Sequence, residues 1–174
     1  MMQISSYQNP FLRAKRYLYR VKMVYEGVDC YLPSSEFYHD DIYAFFVFCY
    51  HVKDWLISDH RLKLDKQTVE KFINNNFELM LCADVCNGTK HFIQTAGRAR
   101  TGQQPVVYAS SISVTVYPQE ANISPSGSQY KCSFGIETSS GIIDVLTLAE
   151  KCISLWSKFL DCNGIFITER DSFI

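Results

Sequence analysis

The sequence lacks the motifs by which most enzyme classes are recognised. It has no Gly-x-Ser-x-Gly nucleophile turn, no His-Glu-x-x-His zinc motif and no glycine-rich loop of the kind that cradles phosphate. It also lacks an excess of charge: the formal net charge is −1, which indicates neither a nucleic-acid nor a membrane partner. These absences argue against hydrolases, nucleotide-dependent enzymes and metalloproteases.

The hydrophobic pattern of the sequence also predicts no membrane-spanning segment and no leader segment. The most apolar stretch, 42–57, contains His51, Lys53 and Asp54 and is shorter than the roughly 20 residues that a transmembrane helix needs. The polar first residues, MMQISSYQNP, predict no signal peptide. Together with seven cysteines and no Cys-x-x-Cys pair, this indicates a cytoplasmic protein with reduced thiols.

Apolar residues are present in sufficient number for a full core. Hydrophobic residues make up 47% of the chain and charged residues 20%, which excludes a disordered protein. A chain of 174 residues has the size of one ordinary domain and needs no disulfides to be stable. We therefore predict a single domain over residues 1–174.

Helical periodicity dominates the first half of the chain and its end. Capping residues precede the predicted helices at Asn9-Pro10, Asp65 and Asp144. The fourth helix begins at Phe77 and ends either near Asn87-Gly88 or at about His91, because Gly is unfavourable inside a helix. The predicted helices cover about 10–26, 36–58, 66–74, 77–91 and 145–162.

The hydrophobic period changes from helical to two between about 104 and 138. Apolar residues alternate with Ser and Thr in 106–116, and again with polar residues in 130–137, on either side of a Ser/Pro/Gly loop. The predicted fold class is therefore mainly α (α+β), a bundle of four main helices with an antiparallel β-hairpin inserted before the last helix. On the first strand the alternation puts these residues on one face: Val106, Tyr108, Ile112, Val114 and Val116.

Two apolar segments carry an unusual number of polar side chains, CYHVKDW at 49–55 and CADVCNGTKH at 82–91. Residues three or four apart share a helix face. If the two helices pack antiparallel, these faces meet, and mutual pairing avoids the cost of burying polar groups alone. We predict one connected polar cluster, in either a structural or a functional role, formed by His51, Asp54, Asp84, Asn87 and His91.

A metal centre is a weaker interpretation of the same segments. Cys82 and Cys86 are one helical turn apart, and His51 or His91 could approach them, but both cysteines occupy core positions of a helix. Compact zinc sites instead place cysteines in knuckles or turns. We therefore expect neither a metal site nor a cofactor.

The same two segments carry a resemblance to a known family. They resemble a signature of small uncharacterised bacterial proteins, in which a Tyr-His-x-x-Asp-Trp helix precedes an Asn-Gly-x-Lys-His segment. The arrangement, over about 36–93, is similar to the HEPN superfamily of helical bundles, found in toxin–antitoxin and phage-defence systems. The resemblance implies that His91 is the family's catalytic histidine, although no Arg lies between Arg61 and His91 to complete the motif.

Two functions follow as expectations. The first is a non-catalytic helical binding module, with a protein partner or a second copy of itself, in a bacterial or phage conflict system. The alternative is a HEPN-like, metal-independent ribonuclease that acts as a dimer, with His91 as acid or base and Lys90 or Arg98 stabilising phosphate charge. Basic residues on the first helix and near the 94–105 loop would supply RNA contacts: Arg13, Arg16, Arg20, Lys90, Arg98 and Arg100.

Overall fold

In the part of the chain that the structure describes, five α-helices and four antiparallel strands form a mixed α/β architecture. The computed structural model describes residues 9–29, 36–89 and 99–167. The helices are α1 (Pro10–Glu26), α2 (Glu36–Ser58), α3 (Lys66–Asn74), α4 (Phe77–Gly88) and α5 (Val145–Cys162). The strands are β1 (Val28–Asp29), β2 (Val106–Val116), β3 (Ser128–Thr138) and β4 (Gly141–Asp144).

Local capping explains where the helices begin and end. The Asn9 side chain accepts hydrogen bonds from the backbone N–H groups of Phe11 and Leu12, and Asp65 and Asp144 cap α3 and α5 in the same way. The α4 helix ends at Gly88, the earlier of the two predicted positions.

The α2 helix lies at the centre of the helical layer. Its buried residues come from several sides of the helix, and α2 contacts each of the other four helices. A helix that is apolar all round belongs in such a central position. Within the described residues, no helix combines the length and the apolar character needed to cross a membrane.

The sheet is larger than the predicted hairpin. The β3 strand pairs with β2 along one side and with both β1 and β4 along the other, so β2 is an edge strand. Cys132, Phe134 and Ile136 of β3 are buried in the core that the helices share. We missed β1 and β4 because two and four residues are too few to show an alternating pattern.

A β-bulge corrects the predicted face of β2. The register shifts between Ala109 and Ser111, where β2 has one residue more than β3. Val107 pairs with Ile136 and Ile112 with Cys132, so both lie on the helix side of the sheet. Val106 and Tyr108 therefore lie on the opposite face from Ile112, Val114 and Val116.

Candidate functional site

The structure places the predicted polar residues in different environments. Asp84 of α4 is completely buried, whereas the Asp54 side chain of α2 is 58% exposed and pairs with Lys53 at 2.7 Å. His51 and Asn87 are half-buried. The expectation that Asp54 is buried is therefore wrong. Asp54 lies on the exposed face of α2, where water solvates its charge.

Lys90, His91 and Arg98 lie outside the described residues. The catalytic roles predicted for these three residues, and a cluster that joins His91 to His51 and Asp84, stay predictions.

Asp84 binds the segment that follows α4 in the chain. Its Oδ1 accepts a hydrogen bond of 2.7 Å from the backbone N–H of Arg100. Its Oδ2 accepts hydrogen bonds of 2.8 Å from the N–H of Thr101 and 2.6 Å from the Thr101 hydroxyl. A carboxylate with several such donors is well stabilised inside a protein. Asp84 thus holds the turn at 100–101 against the helices.

The Arg100 side chain strengthens the same attachment from the other side. Its guanidinium donates to Glu70 Oε2 and Asn74 Oδ1, both at 2.6 Å, and to the Tyr50 hydroxyl at 3.1 Å. Burial alone would lower the pKa of Arg100, but the bonds to Glu70 and Tyr50 raise it above its usual range. We call the residues Tyr50, Glu70, Asn74, Asp84, Arg100 and Thr101 the loop anchor.

Lys53 closes the exposed side of the loop anchor. Its ammonium lies 3.8 Å from Glu70 and 4.8 Å from the centre of the Tyr50 ring, in addition to its bond with Asp54. The positive charges of Lys53 and Arg100 are therefore balanced within the protein by the carboxylates of Asp54 and Glu70. This arrangement holds a loop in place and presents neither Lys53 nor Arg100 to a phosphate group.

The basic face of α1 is also engaged internally. The Arg20 guanidinium forms an ion pair of 2.9 Å with Asp41, and the Arg13 guanidinium lies 5.0 Å from the centre of the Phe48 ring. Lys22 pairs with Glu150 of α5 at 2.6 Å. The two ion pairs offset the charges of Arg20 and Lys22 toward a nucleic-acid backbone, whereas the ring contact leaves the charge of Arg13 in place.

The cysteines meet in a combination that the sequence did not suggest. Cys82 does not form a group with Cys86 and His51 but with Cys49 of α2 and Cys152 of α5. The three Sγ atoms lie within 4.8 Å of one another, and all three residues are fully buried. Their spacings of 33 and 70 residues match no local motif, so only the packing of the three helices reveals the group.

The second half of β2 is the most exposed apolar part of the sheet. Ile112 and Val114 are each 57% exposed and Val116 is 77% exposed, although they lie on the helix side. The helices cover β3 there but stop short of β2. Within the described residues the outer edge of β2 has no strand beside it, so its outward N–H and C=O groups are available for pairing.

Comparison of the chain with protein-family profiles, with curated proteins and with solved structures finds no match in any of the three.

Proposed function

We propose that the protein is a non-catalytic binding module that binds a second copy of itself through β2. The single observation that carries this proposal is the exposed edge of β2, from Ser111 to Val116. Natural proteins protect long edge strands with charges, prolines, bulges or covering segments. The 11 residues of β2 contain no charge and no proline, and the bulge lies before Ser111.

The alternating pattern of β2 suits pairing with its own copy. On the helix side of the sheet β2 carries an inner row of apolar residues, Ile112, Val114 and Val116. On the opposite face of the sheet it carries an outer row of Ser and Thr residues, Ser111, Ser113 and Thr115. Antiparallel pairing about a two-fold axis perpendicular to the sheet places inner row against inner row and outer row against outer row. Apolar and Ser/Thr cross-strand pairs are both favourable, and no like charges meet.

The position of the helices leaves room for this pairing. Because the helices stop short of Ile112 and the residues that follow, the same surface of a second copy can lie beside it. The joined strands would form one continuous sheet with adjacent apolar rows, so each copy reduces the water exposure of the other.

The proposal is tested by the oligomeric state of the protein in solution. Val114→Lys places a positive charge in the apolar row. Because Val114 lies near the two-fold axis, the new lysine also faces the same lysine of the second copy. This repulsion should weaken the dimer roughly 100-fold. Ile142→Lys on β4 is the matched control, since Ile142 is 67% exposed on the opposite side of the sheet. Analytical ultracentrifugation over a concentration series measures both.

We expect the wild type and Ile142→Lys to dimerise and Val114→Lys to remain monomeric. A wild type that is monomeric at the highest soluble concentration would contradict the proposal, as would equal dimerisation of all three proteins.

Ribonuclease activity is the alternative and also requires a dimer. This activity would depend on Lys90, His91 and Arg98. Two neighbouring cationic side chains, Arg100 and Lys53, are bound to Glu70 and Asp54 instead. Cleavage of RNA that His91→Ala abolishes would replace the binding proposal by this alternative.

Both proposals share one setting. We propose that the protein is cytoplasmic, that it is a helical bundle with a β insertion, and that it acts in a bacterial or phage conflict system.

A further inference from the structure

The exposed face of α1 concentrates basic residues of the chain. Five of the 17 Lys and Arg residues lie between positions 13 and 22, and α1 has a single acidic residue, Glu26. The formal net charge of −1 for the whole chain therefore conceals a local excess of positive charge. The five basic residues are Arg13, Lys15, Arg16, Arg20 and Lys22.

Two apolar side chains lie at the centre of the same face. Tyr19 and Met23 are 64% and 42% exposed and lie one helical turn apart. With about 3.6 residues per turn, they occupy the middle of the exposed arc of α1. The basic residues flank them, with Lys15 and Lys22 along one side and Arg13, Arg16 and Arg20 along the other.

The opposite arc of α1 fixes the orientation of this face. Ala14, Leu18 and Val21 are buried in the core that α1 shares with α2, α5 and β3. Tyr19 and Met23 therefore cannot turn inward without removing these residues from the core. Because the helix is already formed and held from behind, a partner that binds its outer face does not have to order the backbone.

Contacts with neighbouring residues leave the basic side chains at the surface. The side chain of Arg20 is 61% exposed in its ion pair with Asp41, and that of Lys22 is 39% exposed in its pair with Glu150. Ion pairs between such exposed groups are weak, so an anionic group from outside can compete for both cations. The guanidinium of Arg20 also lies 5.7 Å from the centre of the Tyr17 ring, a contact that keeps its positive charge.

We propose that this face of α1 binds the surface of an anionic membrane. An apolar centre flanked by cations fits a lipid interface, because Tyr and Met enter the headgroup boundary while Lys and Arg reach the phosphates around them. Anionic lipids also supply the charge opposite to that of α1. The contact is peripheral, and it does not depend on pairing through β2.

A nucleic acid fits this face less well than a lipid surface does. Its backbone phosphates would pair with the basic residues. They would leave Tyr19 and Met23, the two apolar residues at the centre, exposed to water. The central position of these two residues therefore favours the membrane over a nucleic acid.

Co-sedimentation of the full chain with lipid vesicles tests the proposal. We expect binding to vesicles of phosphatidylserine and phosphatidylcholine, weaker binding as the salt concentration rises, and little binding to phosphatidylcholine alone. Lys15→Glu combined with Arg16→Glu should weaken binding to the anionic vesicles roughly tenfold or more. Lys66→Glu combined with Lys71→Glu is the matched control. It makes the same change in net charge at exposed residues of α3, which packs against α2 and α4.

A further variant tests the apolar centre separately from the charges. Tyr19→Ser leaves the net charge unchanged and should weaken binding to the anionic vesicles while the salt dependence persists. Equal binding to both kinds of vesicle, no binding to anionic vesicles at low salt, or equal losses in the two double variants would overturn the proposal. Binding of single-stranded RNA without binding to vesicles would also overturn it and assign the face to a nucleic acid.

Discussion

At the scale of single residues, two aspartates of similar sequence context have opposite roles. Asp54 and Asp84 both lie in apolar helices and both looked like members of one buried cluster. In the structure Asp54 is exposed, and Asp84 binds Arg100 and Thr101. The sequence could not separate them, because the partners of Asp84 follow it by 16 and 17 residues in an irregular segment.

Replacing Asp84 should therefore destabilise the protein far more than replacing Asp54. Asp84→Ala leaves the N–H groups of Arg100 and Thr101 without their acceptor, which should lower the free energy of unfolding by about 2–4 kcal/mol. Asp54→Ala removes a surface ion pair and should cost less than about 1 kcal/mol. Urea unfolding of both variants measures the difference. Equal losses would show that Asp84 does not anchor the loop.

His39 should make the stability of the protein sensitive to mild acid. Its ring meets the Phe134 ring edge-on at 4.8 Å, and burial lowers its pKa, partly offset by Asp40 and Glu36. In the unfolded chain His39 has the higher pKa, about 6.5. Between the folded and the unfolded pKa, the unfolded chain therefore binds more protons than the folded protein does. His39 therefore favours folding fully above about pH 6.5 and loses that contribution as the pH falls toward its folded pKa.

Chemical unfolding at about pH 7.5 and about pH 5.5 tests this dependence around the ordinary histidine pKa. We expect His39→Gln, which cannot take up a proton in this range, to lose less stability than the wild type between the two conditions. The same loss in both proteins would assign the acid sensitivity to other groups.

At the scale of secondary-structure elements, Gly27 makes the turn from α1 into β1. Its φ of 125° and ψ of 131° are accessible to glycine but strained for every residue with a Cβ. Gly27→Asn should cost about 1–3 kcal/mol. The matched change Gly164→Asn should cost less, since φ there is 65°, in the left-handed region that Asn tolerates. Thermal unfolding compares the two; a Gly27→Asn variant as stable as Gly164→Asn would refute this account.

Helices could be predicted from the sequence, but the sheet only in part. The helices have local signals, such as Asn9, Asp65 and Asp144 at their first turns, and these caps form as expected. The pairing of β1 and β4 with β3 depends on residues far apart in the chain, and so does the bulge after Ala109. Nothing in an alternating sequence shows where an extra residue enters a strand.

At the scale of the whole molecule, the same limit applies to sites. The group formed by Cys49, Cys82 and Cys152 needs α2, α4 and α5 to meet. The exposed row on β2 needs the helices to end before they cover it. Both are consequences of packing, which no spacing of Cys49, Cys82 and Cys152 could reveal. The sequence does contain one relevant signal, the absence of charge and proline from 106–116, whose meaning becomes clear once β2 is known to be an edge strand.

The central claim is that the outer edge of β2 pairs with a second copy of the chain. Amide hydrogen exchange of residues 111–116 tests it most directly, because pairing would protect those N–H groups that face outward from β2. We predict slow exchange in concentrated protein, faster exchange on dilution, and fast exchange at both concentrations in Val114→Lys. Exchange of these amides that is equally fast in concentrated and dilute wild-type protein would contradict the account.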